Sequence, residues 1–377
     1  MKQPLQYDIT VIGGGLAGLA LSIQLTKQHY KVALFEKEQY PFHKVCGEYI
    51  SMESWNFIEG LGLPLSTMQL PIIKKLIVTS PNGNYLQQDL PLGGFGISRY
   101  KIDYELKEIA VKAGVKIFEN CKVQDVLFKD EKFTVQTSEG VFESKVCIGT
   151  YGKRSNLDKK WKRNFILKQS ERTYIGVKYH VKINFAADTI ALHNFKDGYC
   201  GISKIENDTY CVCYLTTAAN LKNNNNSITD MEKKVLYKNP YLKNIFKNAV
   251  MLYKKPVTIS QISFAKKTQV EDHVLLCGDA AGMITPLCGN GMSMALHSSK
   301  MAAIAIDNYL QNRINREELE NIYKKNWHTI FGKRVWTGRI IQQLFGRIWV
   351  TNLFIAIMKR VPFLTEKIIK QTHGQPF

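Results

Sequence analysis

The chain has 377 residues, 45% of them hydrophobic and 22% charged, which allows two or three domains with a sizeable core and excludes the disordered and fibrous classes. Lys and Arg number 51 against 32 Asp and Glu, a formal net charge of +19 that admits anionic lipid or acidic substrates as partners and, equally, a lysine-rich solvated surface. Nucleic acid is excluded, because no binding module is recognisable and the basic residues are spread along the chain.

The eight cysteines stand mostly alone, with one close pair at Cys211 and Cys213, and no C-x-x-C or H-E-x-x-H spacing occurs. Reduced thiols, a cytoplasmic setting and no metal site are therefore expected. No run reaches the ~18 uninterrupted apolar residues of a membrane span. Nor does a signal-like segment precede the first strand. Contact with the inner face of a membrane is the other setting the charge allows.

In chain order, Tyr7–Ile12 is an apolar, β-branched run suited to a buried strand. Gly13-Gly14-Gly15-Leu16-Ala17-Gly18 follows as G-x-G-x-x-G. Gly13 suits a tight turn, Gly15 the close approach of a pyrophosphate, and Gly18 tight packing of helix on sheet. The helix Leu16–Gln28 aims its N-terminus at the phosphates. A second strand, Lys31–Phe35, delivers Glu36, whose carboxylate can accept both hydroxyl hydrogens of an adenosine ribose, with Lys37 beside it.

Beyond lies the loop Tyr40–Ser51. Its Cys46-Gly47-Glu48 step suits either a reactive centre, with Glu48 orienting substrate or water, or a cysteine that only packs. Leu70–Leu92 reads as a hairpin around Pro81-Asn82-Gly83-Asn84. Arg99 opens the helix Ile102–Ala113 and is placed either to reach a phosphate or to sit on the surface. Val115–Glu119, Lys122–Phe128, Lys132–Thr137 and Gly140–Ile148 form a small meander, ending at the turn Gly149–Ser155. Thr173–Ile183, Thr189–Phe195, Tyr199–Ile205 and Thr209–Leu215 alternate apolar and polar, which predicts an antiparallel sheet and a second domain. A loop at Asn223–Asn226 and a helix near Asp230–Tyr237 follow. The strand His273–Cys277 then returns to the first domain. Asp279 at its end suits a ribose or ribityl hydroxyl, and a small-residue helix opening near Gly289 suits negative charge on a reduced ring.

Together, G-x-G-x-x-G with Glu36, Cys46-Gly47, Ile97-Ser98-Arg99 ahead of Asp103, and G-D-A-A-G-x-x-x-P-x-x-G-x-G-x-x-x-A resemble the geranylgeranyl reductase family. That family is similar to the wider para-hydroxybenzoate hydroxylase-like flavoproteins, which include aromatic hydroxylases and flavin-dependent halogenases. The resemblance covers residues 6–155 and 255–310 well, and the alternating region by pattern alone. It implies FAD bound extended, with Gly13, Gly15, Leu16, Ala17, Gly18, Glu36 and Lys37 at the adenosine side. Arg99, Gly278 and Asp279 would lie near the pyrophosphate, and Pro286, Gly289, Asn290, Gly291 and Met292 over the isoalloxazine. Cys46, Gly47 and Glu48 are the implied catalytic loop.

Two departures bear on chemistry. Hydroxylases of this kind carry Asp-Gly in the turn serving both FAD and NAD(P)H, where this chain has Tyr151-Gly152. Another electron donor, an electron-transfer partner or a flavin reductase, is thereby implied beside NAD(P)H. Halogenases carry W-x-W-x-I-P, which the chain lacks. Trp336–Ile357, followed by Lys359-Arg360 and then Lys367 and Lys370, reads as a helix pair that either lies on a membrane or caps the fold.

The expectation is an α/β (α+β) protein: a doubly wound FAD-binding Rossmann-like domain, an antiparallel substrate domain and a helical C-terminal cap. The divisions are 1–160 with a hairpin insertion at about 65–95, then 161–255, 256–330 and 331–377. The implied activity is FAD-dependent redox on a hydrophobic small molecule, first the reduction of carbon–carbon double bonds in an isoprenoid-like substrate. An aromatic or polyketide hydroxylase, a halogenase and a non-catalytic flavin-binding protein are the alternatives, in that order.

Overall fold

The computed structural model describes residues 4–167, 173–285, 289–344, 347–360 and 374–377. The chain begins with strand β1 (Leu5–Ile12), whose C-terminal half is buried on both faces, as a central parallel strand requires. Helix α1 (Leu16–Lys27) follows and buries Leu16–Ile23 and Leu25. Strand β2 (Val32–Phe35) is wholly buried. The chain then leaves this layer through the short strand β3 (Tyr49–Ser51), β4 (Ile72–Thr79) and β5 (Tyr85–Gly96).

Helix α2 (Arg99–Ala113) brings it back. Ser98 caps this helix by accepting the Lys101 amide at 3.1 Å, and Gly114 ends it at φ +101. Next come β6 (Lys116–Phe118), β7 (Val123–Lys129), β8 (Lys132–Thr137) and β9 (Gly140–Gly149). β6 was expected in the meander, but it pairs in parallel with β2 at the sheet edge. There Phe118 packs on Phe35 and Phe142, at ring distances of 5.3 and 5.0 Å.

The sequence 174–262 builds β10 (Tyr174–Lys182), β11 (Thr189–Phe195), β12 (Gly198–Ile205), β13 (Thr209–Thr217), β14 (Val250–Met251) and β15 (Val257–Ile262). β16 (Val270–Glu271) and β17 (Val274–Leu276) then rejoin the first layer. Helices α3 (Gly291–Leu310), α4 (Arg316–Leu344) and α5 (Ile348–Arg360) complete the described chain.

The first sheet runs β16-β17-β9-β1-β2-β6, with β8 on β9 and β7 on β8. Its parallel core β17-β9-β1-β2-β6 reverses direction of growth between β1 and β9, the switch point where such sheets open a ligand crevice. The second sheet runs β14-β10-β13-β12-β11-β4-β5-β3, with β15 also on β10. It is antiparallel as expected, except that β4 runs parallel to β11. The 65–95 hairpin therefore belongs to this second sheet rather than to the nucleotide layer. The sheet's own core gathers Val177, Phe195, Ile202, Val212 and Tyr214.

α4 begins well before residue 331 and packs on α3, placing Trp327 and Phe331 in the main core. Lys367 and Lys370 lie outside the described residues. Among those described, no helix is long and apolar enough to cross a membrane.

Candidate active site

At two positions of the glycine turn the backbone itself leaves no room for a side chain. A Cβ on Gly18 would sit 2.1 Å from the Gly13 carbonyl oxygen, and one on Gly13, at φ +106, would sit 2.7 Å from the Thr150 oxygen. Thr150 joins the ends of β9 and β1, its amide donating to the Ile12 carbonyl at 2.8 Å. Gly15 differs. A Cβ there would meet only the Arg99 Nη2 at 3.5 Å and the Lys44 Nζ at 3.7 Å.

Both cations are held by Asp103, which accepts Lys44 at 2.9 Å and Arg99 through Nε and Nη2 at 2.8 Å each. Burial alone would raise the Asp103 carboxyl, but the Arg99 and Lys44 charges hold it below its ordinary value. Gly15 also caps α1 with no side-chain bond, leaving the first amides of that helix open. Two fixed cations, a helix N-terminus and a bare glycine form an anion cradle that fits a pyrophosphate. Lys44 was missed in the sequence, because its register against Asp103 depends on the fold of the intervening loop.

Glu36 sits at the end of β2, buried. Its Oε2 accepts the Gly14 amide at 2.8 Å and its Oε1 the Glu38 amide at 3.1 Å. Each oxygen keeps a further lone pair for a ribose hydroxyl. Lys37 instead points to solvent and pairs with Glu38 at 3.6 Å. Tyr40 closes this end, its hydroxyl donating to the Gly14 carbonyl.

A cavity of about 220 Å³, open to solvent, extends from the turn between the two sheets. Gly15, Leu16, Ala17, Arg99, Gly278 and Asp279 line its nucleotide side, and Gly289, Gly291 and Met292 lie farther along. Gly278 adopts φ +62, and its amide donates to Ser298 at 3.0 Å. Gly289, at φ +66, lies against the Tyr49 ring, where a Cβ would approach within 3.2 Å. Asn290 is fully buried as the N-cap of α3. Pro286 lies outside the described residues. The far wall is apolar and comes from the second sheet, with Ile190, Leu192, Tyr199, Ile202, Leu215 and Ile262.

Cys46, Gly47 and Glu48 line the same cavity, so the structure brings the expected loop to the expected crevice. The Glu48 carboxylate is nonetheless fully engaged. Its Oε1 accepts the Arg99 amide at 2.9 Å and the Lys178 ammonium at 2.7 Å, and its Oε2 lies 2.5 Å from the His180 Nε2. Burial would raise this carboxyl, but the His180 hydrogen bond and the Lys178 charge hold it below its ordinary value. Glu48, His180 and Cys211 place ligand-type atoms within 4.8 Å of one another. The Lys178 ammonium already neutralises that carboxylate, which opposes a second cation there.

At the seam near Tyr151, the tyrosine hydroxyl donates to Asp158 at 2.8 Å, and Asp158 also accepts the Arg163 Nη1 at 2.7 Å. Lys267, buried nearby, donates to the Lys153 and Asp279 carbonyls at 2.8 Å each. Burial pushes its ammonium down to about 8, against the upward pull of Asp279 and Asp158.

Known proteins share this architecture. A curated digeranylgeranylglycerophospholipid reductase of Methanococcus vannielii is 25% identical over 334 residues, covering 85% of this chain and 82% of its own. A geranylgeranyl bacteriochlorophyll reductase-like structure from Thermoplasma acidophilum superposes with a TM-score of 0.81 at 17% identity, over 98% of this chain and 97% of that one. A flavin-dependent brominase superposes with a TM-score of 0.79 at 22% identity, over 97% and 93%. Residues 6–328 match the model of the FAD binding domain family, and the chain belongs to that family, as an FAD-dependent oxidoreductase.

Proposed function

We propose that the protein reduces carbon–carbon double bonds in an isoprenoid- or lipid-like substrate. The observation that carries this reading is the apolar second-sheet wall, Ile190, Leu192, Tyr199, Ile202, Leu215 and Ile262, opposite the glycine turn. Such a wall gains from desolvating hydrocarbon and offers few groups to orient a polar ring. The curated archaeal reductase, with its lipid substrate named, supports the same class.

FAD held in this cradle would, when reduced, provide the hydride for such a reduction, with the proton coming from water or an acid. The chain's own residues supply the rest. Arg99, Lys44 and the α1 N-terminus hold the pyrophosphate, Glu36 takes the ribose, and Cys46–Glu48 borders the reactive ring. The nucleotide part takes 1–160 and 256–330 apart from the 65–95 hairpin and β15, which join the sheet of the substrate part at 161–255, and 331–377 continues the cap that α4 begins.

The electron donor is a separate carrier or flavin reductase, since Tyr151 is tied to Asp158 where an Asp-Gly turn would receive a nicotinamide. Membrane contact at α5 suits a lipid substrate. Its outward face exposes Trp349, Leu353 and Ile357 beside Lys359 and Arg360, and it carries no acidic residue.

Anaerobic incubation of the dithionite-reduced protein with a prenyl-lipid panel, followed by mass spectrometry, tests the reading. A gain of two mass units on a prenyl chain is expected. Hydroxylated product from a phenol panel, or halogenated product when halide is added, formed with oxygen instead, would overturn the reading.

A further inference from the structure

Cys46, Gly47 and Glu48 are held from outside their own layer. Each of the three consecutive residues takes a bond from a different strand of the second sheet. The Cys211 thiol on β13 donates to the Cys46 carbonyl at 3.3 Å, and the Ser203 hydroxyl on β12 donates to the Gly47 carbonyl at 3.2 Å. Lys178 and His180, two apart on one face of β10, grip the Glu48 carboxylate. Glu48 itself adopts φ +57, a left-handed backbone that a glutamate takes only when its surroundings impose it.

This grip is an expensive one. The Glu48 and Lys178 side chains are fully buried and His180 nearly so. Replacing a buried ion pair with hydrocarbon of equal volume is commonly neutral or stabilising, so such a cluster argues for geometry rather than for net stability. What it fixes is the cavity face formed by Cys46 and Gly47.

We propose that Lys178 and His180 are positioning residues: acting through the Glu48 carboxylate, they set the Cys46–Gly47 edge against the flavin ring. The second sheet thus supplies both the hydrophobic wall and the template for the reactive loop. The inference rests on the loop bordering the flavin, and not on which substrate is reduced.

Alkylation of Cys46 by iodoacetamide, followed by peptide mass spectrometry on apoprotein and FAD-loaded protein, provides the test, together with visible circular dichroism of the flavin. In the wild type, FAD should slow modification of Cys46. Glu48→Gln paired with Lys178→Met removes both charges without orphaning either, and should fold. In that paired variant and in His180→Leu, Cys46 of the FAD-loaded form should react about tenfold faster through local opening, with altered flavin dichroism. His180→Gln keeps an N–H donor and should behave as wild type. Should one variant fail to fold, the other decides. Wild-type protection and dichroism in folded variants would overturn the proposal alone. No protection by FAD in the wild type would overturn the loop's placement, and the proposal with it.

Discussion

The two walls of the cavity are rigid for different reasons. On the nucleotide side, backbone lies against backbone: Gly13 and Gly18 leave no room for a Cβ, and Thr150 ties β9 to β1 by its amide. On the opposite side, side chains hold the loop Cys46–Glu48 across 130 residues of sequence, from Glu48 to Lys178. Steric exclusion makes any added atom costly, whereas the charged clamp depends on which hydrogen-bonding groups face Glu48. The first wall is therefore set by local backbone, and the second by contacts between residues distant in sequence.

Gly15 and Gly18 divide the first wall into its two tasks, and changing them should have the largest effects. Gly15→Val adds bulk only toward Arg99 and Lys44, so the protein should fold but purify without its yellow flavin. Gly18→Ala should instead lower the melting temperature, because overpacking against the Gly13 oxygen costs about 1–3 kcal/mol or more. Flavin retained by Gly15→Val would place the pyrophosphate elsewhere.

Lys267 stands where the walls meet, a side chain holding backbone, and its effect depends on pH. Its ammonium falls to about 8 in the folded protein from 10.5 unfolded. Between those values the unfolded chain binds the extra proton, so stability should rise with pH from about 8 to 10.5 and be lowest below 8. The full swing is ~3 kcal/mol at 1.36 kcal/mol per unit. Urea unfolding of the wild type minus that of Lys267→Met should show this rise. A flat difference would mean that the buried lysine stays protonated throughout.

A smaller effect concerns the donor. With Tyr151 tied to Asp158, stopped-flow bleaching of the flavin by NADH or NADPH should be at least about tenfold slower than by dithionite, equal to ~1.4 kcal/mol of barrier. Fast, saturable bleaching by a nicotinamide would remove that distinction. The smallest change is expected at Cys46→Ala, on the clamped side. Stability should fall by no more than ~1 kcal/mol, FAD should stay bound, and the flavin spectrum and turnover should shift. A lowered melting temperature with unchanged spectrum and rate would assign Cys46 to packing.

What was legible in the sequence follows the same division. Gly13, Gly15, Gly18 and Glu36 fall within one strand–helix–strand unit, so their spacing alone determines where they meet. The Asn82-Gly83 turn announces its hairpin, but alternation reports which face of a strand is buried and not which sheet it joins, so nothing local places β4 beside β11. Lys44, Lys178, His180 and Lys267 looked like ordinary basic residues in a basic chain. Each acquires a role only through a partner distant in sequence, and no local pattern carries that pairing. Glu48 was found by its neighbour Cys46-Gly47, but its engagement by β10 was hidden for the same reason.

The strand order also bears on how the chain is made. The second sheet joins strands from residues 49–96 to strands from 174–217 and 250–262, while the first sheet is completed only by Val274–Leu276. A nascent chain emerging N-terminal end first would present β4 as an unpaired edge until β11 emerged more than 90 residues later. Non-local closure of this kind slows folding and leaves strand edges exposed meanwhile. Neither sheet can finish without the other's intervening segment, so the two layers are expected to mature as a single cooperative unit rather than as beads on a string.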